Sequence, residues 1–91
     1  MDDVRLNVWV QGRVQGVGFR HWVRSRGRAL GLRGSAVNLA DGRVAIIAEG
    51  PLRLCQELLD SLGDDQLPGY VGDIWHTWGE PKPEPSGFRV G

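Results

Sequence analysis

The chain has 91 residues, 41% hydrophobic and 24% charged, with 11 basic against 11 acidic side chains and a formal net charge of +0. That size suits one domain spanning 1–91 around one core, and the balanced charge supplies no broad field to gather nucleic acid or an anionic membrane. The single cysteine, Cys55, excludes an internal disulfide and a cysteine-rich metal site, and the longest aliphatic run, Val44 to Ala48, is far too short to cross a bilayer.

The start, Met1-Asp2-Asp3-Val4-Arg5, lacks the basic flank and apolar block of a secretion signal, so a cytoplasmic location is expected. Leu6, Val8 and Val10 then alternate with Asn7, Trp9 and Gln11, which predicts a strand with one buried face. After a glycine-rich loop, Phe19 to Leu30 carries apolar residues at 19, 22, 23 and 30, spaced for a helix that stops at Gly31. Gly27 lies on that stripe. A glycine there costs about 1 kcal/mol against alanine, so close packing against the sheet is the expected compensation.

Gly34 to Leu39 and Arg43 to Glu49 read as two strands around the hairpin signal Ala40-Asp41-Gly42, with Val44, Ile46 and Ala48 facing the helices. Gly50-Pro51 predicts the start of a second helix, with proline at its first position and Leu52, Cys55, Leu59 and Leu62 as the buried stripe. A polar turn, Asp64 to Gly69, leads to a strand around Asp73 to Trp78, with Ile74, His76 and Trp78 on one face and Asp73, Trp75 and Thr77 on the other. Proline-rich Glu80 to Pro85 is expected to be a surface connection before a short strand, Phe88 to Val90. The order predicts an α+β fold of the ferredoxin-like (βαββαβ) kind, an antiparallel sheet with two helices on one face. That fold hosts many activities, so function must be argued from a site.

The candidate site is the loop. Gly12-Arg13-Val14-Gln15-Gly16-Val17-Gly18-Phe19-Arg20 places three glycines ahead of a helix start. Glycines at 12, 16 and 18 permit positive φ and close backbone approach, so several N–H groups can converge on one anion, aided by the unpaired donors of the helix N-terminus. Arg20 adds a planar, permanently charged fork suited to two phosphoryl oxygens. Taken alone, such a loop is equally a strand-to-helix turn, Arg20 a solvated helix residue and Asn38 a turn-former. The basic cluster Arg24, Arg26, Arg28 and Arg33 is expected to be a solvated face. His21 and His76 have no partners that would make a metal site.

The nine-residue string resembles the acylphosphatase signature G-x-V-Q-G-V-G-F-R at every defined position. Gly34-Ser35-Ala36-Val37-Asn38 ahead of a turn and strand, Ala48-Glu49-Gly50-Pro51, and the closing Gly87-Phe88-Arg89-Val90 are also similar to that family, so the resemblance spans nearly the whole chain. It departs at Ser35 and Ala36, where an aromatic residue and valine are usual, and at Gly27, where alanine is usual. Smaller residues there are expected to loosen packing beside the site.

The resemblance implies a hydrolase acting on small acyl phosphates, splitting the carboxyl-phosphate bond without metal or other cofactor. It implies that the backbone N–H groups of Gln15, Gly16, Val17, Gly18, Phe19 and Arg20, with the Arg20 side chain, hold the phosphate, and that Asn38 positions the attacking water. The water's proton would go to the substrate's own phosphate oxygen. The same resemblance leaves a noncatalytic phosphate- or carbamoyl-phosphate-recognising module as the alternative, as occurs inside larger hydrogenase-maturation proteins; a 91-residue chain without zinc-finger cysteines is expected to be the stand-alone enzyme instead. An RNA-recognition module would need aromatics on the central strands, which Val44 to Ala48 lack, and a nucleotide-hydrolysing loop would need Gly-Lys-Ser/Thr. A monomer that binds neither nucleic acid nor membrane is expected.

Overall fold

The computed structural model describes residues 3–64, 66–83 and 85–91. Met1 and Asp2 of the N-terminal stretch, Asp65 of the expected polar turn and Glu84 of the expected connection lie outside the described residues. The elements run β1 (Asp3–Arg13), α1 (Phe19–Ala29), β2 (Arg33–Asn38), β3 (Val44–Pro51), α2 (Leu52–Ser61), β4 (Tyr70–Gly79) and β5 (Phe88–Val90). No helix among the described residues is long and apolar enough to cross a membrane.

One five-stranded sheet forms in the order β4-β1-β3-β2-β5. The four long strands pair antiparallel as expected, but β5 lies parallel to β2, so the sheet is mixed. Chain direction explains this. β4 ends with Gly79 level with Arg5, Arg5 stands opposite Glu49, and Glu49 stands opposite Arg33 at the start of β2. A chain leaving β4 there and crossing the sheet arrives where β2 begins and must run the same way. The crossing is marked by the Lys82 N–H, which donates to Glu49 Oε2 at 2.7 Å.

Alternation puts Leu6, Val8, Val10, Val44, Ile46, Ala48 and Ala36 on one face, all buried under the helices. Phe19, Val23 and Gly27 of α1 and Cys55 and Leu58 of α2 close over them. The close packing expected at Gly27 is present: a Cβ there would lie 2.3 Å from Phe88 Cδ2. Gly31, at φ 71, ends α1 with paired bonds, Gly31 N–H to Arg28 O at 3.0 Å and Leu32 N–H to Gly27 O at 2.9 Å, the doubled closure that only a left-handed residue permits.

Three sequence expectations shift. The buried stripe of α2 runs through Cys55, Leu58 and the capping Leu62, while Leu59 is half-buried and Leu52 is 51% exposed. Steps of three and then four residues from Cys55 reach 58 and 62, and Leu52 is the first residue of the helix. Pro51 does not occupy the first helical position, because its ψ of 140° keeps it extended as the last residue of β3. β4 begins at Tyr70, not near Asp73, because a register shift at Gln11/Gly12 lets β1 continue pairing to Arg13.

The other face of the sheet carries Trp9 opposite Trp75, on opposing positions of β1 and β4. Beside them Arg5 donates to Glu49 at 2.9 Å, and Arg33 bridges Glu49 at 3.5 Å and Asp3 at 3.2 Å. Arg33 therefore belongs to an ion network and not to a solvated cluster. Burial disfavours the Glu49 charge, but the Lys82 N–H, Arg5 and Arg33 outweigh that cost and hold its carboxyl below the usual range.

Candidate active site

Two buried apolar anchors, Val14 and Phe19, pin the glycine loop at its ends and leave Gly16, Val17 and Gly18 exposed between them. Gly16 has φ 73 and Gly18 φ 86, whereas no non-glycine residue has positive φ, so the sign of φ alternates through Val17. Alternation of this kind turns successive N–H groups toward one concave side, the geometry of an anion nest. A Cβ at Gly16 or Gly18 would meet nothing within 4 Å, so conformation and not crowding calls for glycine there.

Gly12 has a different role from the one expected. It lies inside β1 at the register shift, and a Cβ would stand 2.2 Å from the Tyr70 carbonyl oxygen, so its freedom serves the pairing of β1 with β4.

Gly18 caps α1 without any side-chain acceptor, and the first helical bond, Trp22 N–H to Gly18 O, spans 3.0 Å. The first turn has no acidic residue. Among the described residues, no protein acceptor takes the N–H of Gln15, Gly16, Val17 or Gly18. Donors left open at a helix N-terminus form a small region of positive potential in an otherwise neutral protein. The Phe19 ring is turned into the core, buried and stacked on Trp22 with ring centroids 6.5 Å apart.

Arg20 follows in the same turn, half-buried, with Nη1 donating to the backbone oxygen of Gly91. Gly91 N–H in turn donates to Ala36 O at 3.0 Å. Arg20 is thereby tied to β2 two residues before Asn38. On the other side, Gln15 Nε2 donates to Leu39 O at 2.9 Å and to Arg43 O at 3.0 Å, tying the loop to the residue just after Asn38. The loop, Arg20 and Asn38, separated by up to 23 positions in the chain, are thus gathered at one end of the helix-covered face.

Asn38 does not serve the turn beside it. Its Oδ1 is buried and has no hydrogen-bond partner. The turn is held instead by Asp41, whose Oδ1 accepts from Arg43 N–H at 3.0 Å and Oδ2 from Arg43 Nε at 2.8 Å. The Arg43 N–H, helped by its guanidinium, keeps the Asp41 carboxyl below its ordinary range against the opposing effect of desolvation. The Gln15 side-chain bonds and the Asp41–Arg43 brace were not foreseen; a glutamine inside a glycine loop ahead of a hairpin is the only sequence signal for the first.

Elsewhere, His21 and His76 are exposed, and among the described residues no three histidine, cysteine, aspartate or glutamate side chains come together as a metal-holding group. Cys55 is buried, which pushes its thiol up to about 11. Among the described residues, neither it nor the histidines makes a hydrogen bond or ring contact with the loop.

The sequence profile of the Acylphosphatase family matches residues 6–90. An acylphosphatase of Mycolicibacterium vanbaalenii is 52% identical over 86 residues, covering 94% of this chain and 92% of that protein. The crystal structure of acylphosphatase from Bacillus subtilis superposes with a TM-score of 0.86 at 33% identity, over 97% of this chain and 98% of that one. The fold also matches a part of full-length HypF, determined in a phosphate- and nucleotide-bound form, at a TM-score of 0.89 and 21% identity, covering 99% of this chain but 12% of that one.

Proposed function

Because the chain belongs to the acylphosphatase family, whose members are hydrolases of the carboxyl-phosphate bond, we propose that its nest of N–H groups and Arg20 hold the phosphoryl group of a small acyl phosphate while Asn38 places the attacking water. The observation that carries this reading is the pairing of open donors with an open acceptor. N–H groups at 15 to 18 and a buried, unpartnered Asn38 Oδ1 are held at the same end of the sheet.

Water accepted at Asn38 Oδ1 through one hydrogen keeps a lone pair free for phosphorus. Attack forms the new P–O bond as the bond to the acyl oxygen breaks, the electron pair leaves with the carboxylate, and the water's proton passes to a phosphoryl oxygen. A carboxylate is a good leaving group, so no strong general base is required. Phosphoryl transfer of this kind is accelerated mainly by fixed donors around the equatorial oxygens and by placement of the nucleophile. The nest, the N-terminus of α1 and the Arg20 fork are such donors. All these groups come from one chain, which supports a monomer as the working unit. The lone buried thiol supports the cytoplasm as its place.

Benzoyl phosphate supplied with a chelator tests the reading. Turnover to benzoate and inorganic phosphate is expected. Phosphate binding without turnover would instead favour a noncatalytic recognition module, and turnover only with added divalent metal would reject the metal-free scheme.

A further inference from the structure

We propose that the Gln15 side chain is a positioning residue for the reaction, setting where Asn38 stands relative to the phosphate loop; this rests on the function proposed above. The hairpin between β2 and β3 closes irregularly. Leu39 N–H donates to Arg43 O at 2.8 Å, but the return bond is missing, because Arg43 N–H is diverted to Asp41 and Gly42 N–H reaches Leu39 O at 3.1 Å instead. Gln15 Nε2 enters at that throat and spends both of its hydrogens there, one on Leu39 O and one on Arg43 O.

Leu39 adjoins Asn38 directly. The Leu39 N–H, which lies in the peptide plane that follows Asn38, donates to the same Arg43 O that Gln15 holds, and the second Gln15 bond, to Leu39 O, fixes the next plane; together they restrain the backbone beside Asn38 and with it the direction in which its side chain leaves the strand. The other end of the same clamp is the residue before Gly16, where the nest begins. Nucleophile and phosphorus are held by two different segments of chain, and among the described residues Gln15 is the one side chain whose hydrogen bonds join the loop to the hairpin. Rates of this class of reaction fall steeply with displacement of the reacting atoms, about 100-fold for 1 Å. Losing the clamp should thus slow attack while leaving the phosphate donors, which sit on the loop itself, in place.

The test is steady-state kinetics on benzoyl phosphate with wild type, Gln15→Leu, Asn38→Ala and the double variant, alongside inhibition by inorganic phosphate. Gln15→Met, whose flexible side chain fills the same space without donors, runs in parallel should the leucine variant fail to fold. The expected result is a kcat loss of about 10- to 100-fold with little change in phosphate inhibition. In the Asn38→Ala background the same substitution should cost almost nothing, because the group it positions is gone. Equal losses in both backgrounds, a phosphate affinity that falls in step with kcat, or wild-type kcat in Gln15→Leu would overturn the proposal while wild-type turnover still supports the enzyme reading. No turnover by the wild type would remove both.

Discussion

Replacing Gly27 with alanine should destabilise the protein, although alanine is the better helix former by about 1 kcal/mol. The new Cβ would stand 2.3, 2.6 and 2.7 Å from Cδ2, Cε2 and Cγ of the Phe88 ring, against ordinary carbon contacts of about 3.5 to 4.0 Å. The ring would have to retreat by roughly 1 Å. It has little room, because Phe88 is fully buried and its Cε2 is also only 3.0 Å from where a Cβ on Gly34 would be. β5 itself has three residues, held to β2 in part by the Gly34 N–H to Gly87 O bond of 3.1 Å. Overpacking of this severity costs about 1 to 3 kcal/mol, so after the propensity gain a net loss of up to about 2 kcal/mol is expected. For a domain of this size each kcal/mol lowers Tm by about 4 to 8 °C. Urea unfolding followed by tryptophan fluorescence measures it, and adding Phe88→Leu should make the double variant less damaged than the two single losses combined. A Gly27→Ala protein as stable as wild type, or more so, would refute the packing argument.

Arg20→Gln and Asn38→Ala should both fold, with cooperative unfolding, yet lose at least about 10² to 10³ in kcat on benzoyl phosphate; retained activity in both would remove the proposed site. Glu49 has a depressed folded-state pKa, so its contribution to stability is complete above its unfolded value and disappears as pH falls through the lower folded value. The stability difference between wild type and Glu49→Gln should therefore shrink in urea titrations between about pH 5 and pH 3, and parallel curves over that window would contradict the network. Cys55, buried and with its thiol raised to about 11, should resist a disulfide reagent in the native protein at pH 8 and react once unfolded in urea. Fast labelling of the folded protein would mean that α2 opens locally.

Where a residue's role depends on its own backbone, the sequence was a good guide. Gly16 and Gly18 need positive φ whatever surrounds them, and Gly31 ends α1 for the same local reason. Alternation placed Leu6, Val8 and Val10 correctly because pairing in β1 does not slip until Gln11/Gly12. Roles set by distant partners were hidden. Gly12 answers to the Tyr70 carbonyl, and Gln15 to a hairpin 24 and 28 positions away. Glu49 sits at a position that alternation gives to the uncovered face, yet it is fully buried, with Arg5, Arg33 and the Lys82 N–H on its carboxylate. The direction of β5 could not be read from three residues, because it follows from where the preceding strand lets go. Leu59 against Leu58 was a choice of one residue in helical phase, decided by how α2 is rotated on the sheet.

The placement of β1 has a consequence for how catalytic competence arises. The strand that delivers the phosphate loop is an interior one, flanked by β3 and β4, whose partners for Trp9 are Ala45 and Trp75. A peptide ending after α1 would contain every signature residue and have neither neighbour to lean on. The chain must first bring together segments some forty and seventy positions distant, a search that makes such topologies slow to fold. Recovery of hydrolysis after dilution from denaturant should therefore trail no spectroscopic signal and precede none, the pocket being a property of the completed sheet and of no smaller part.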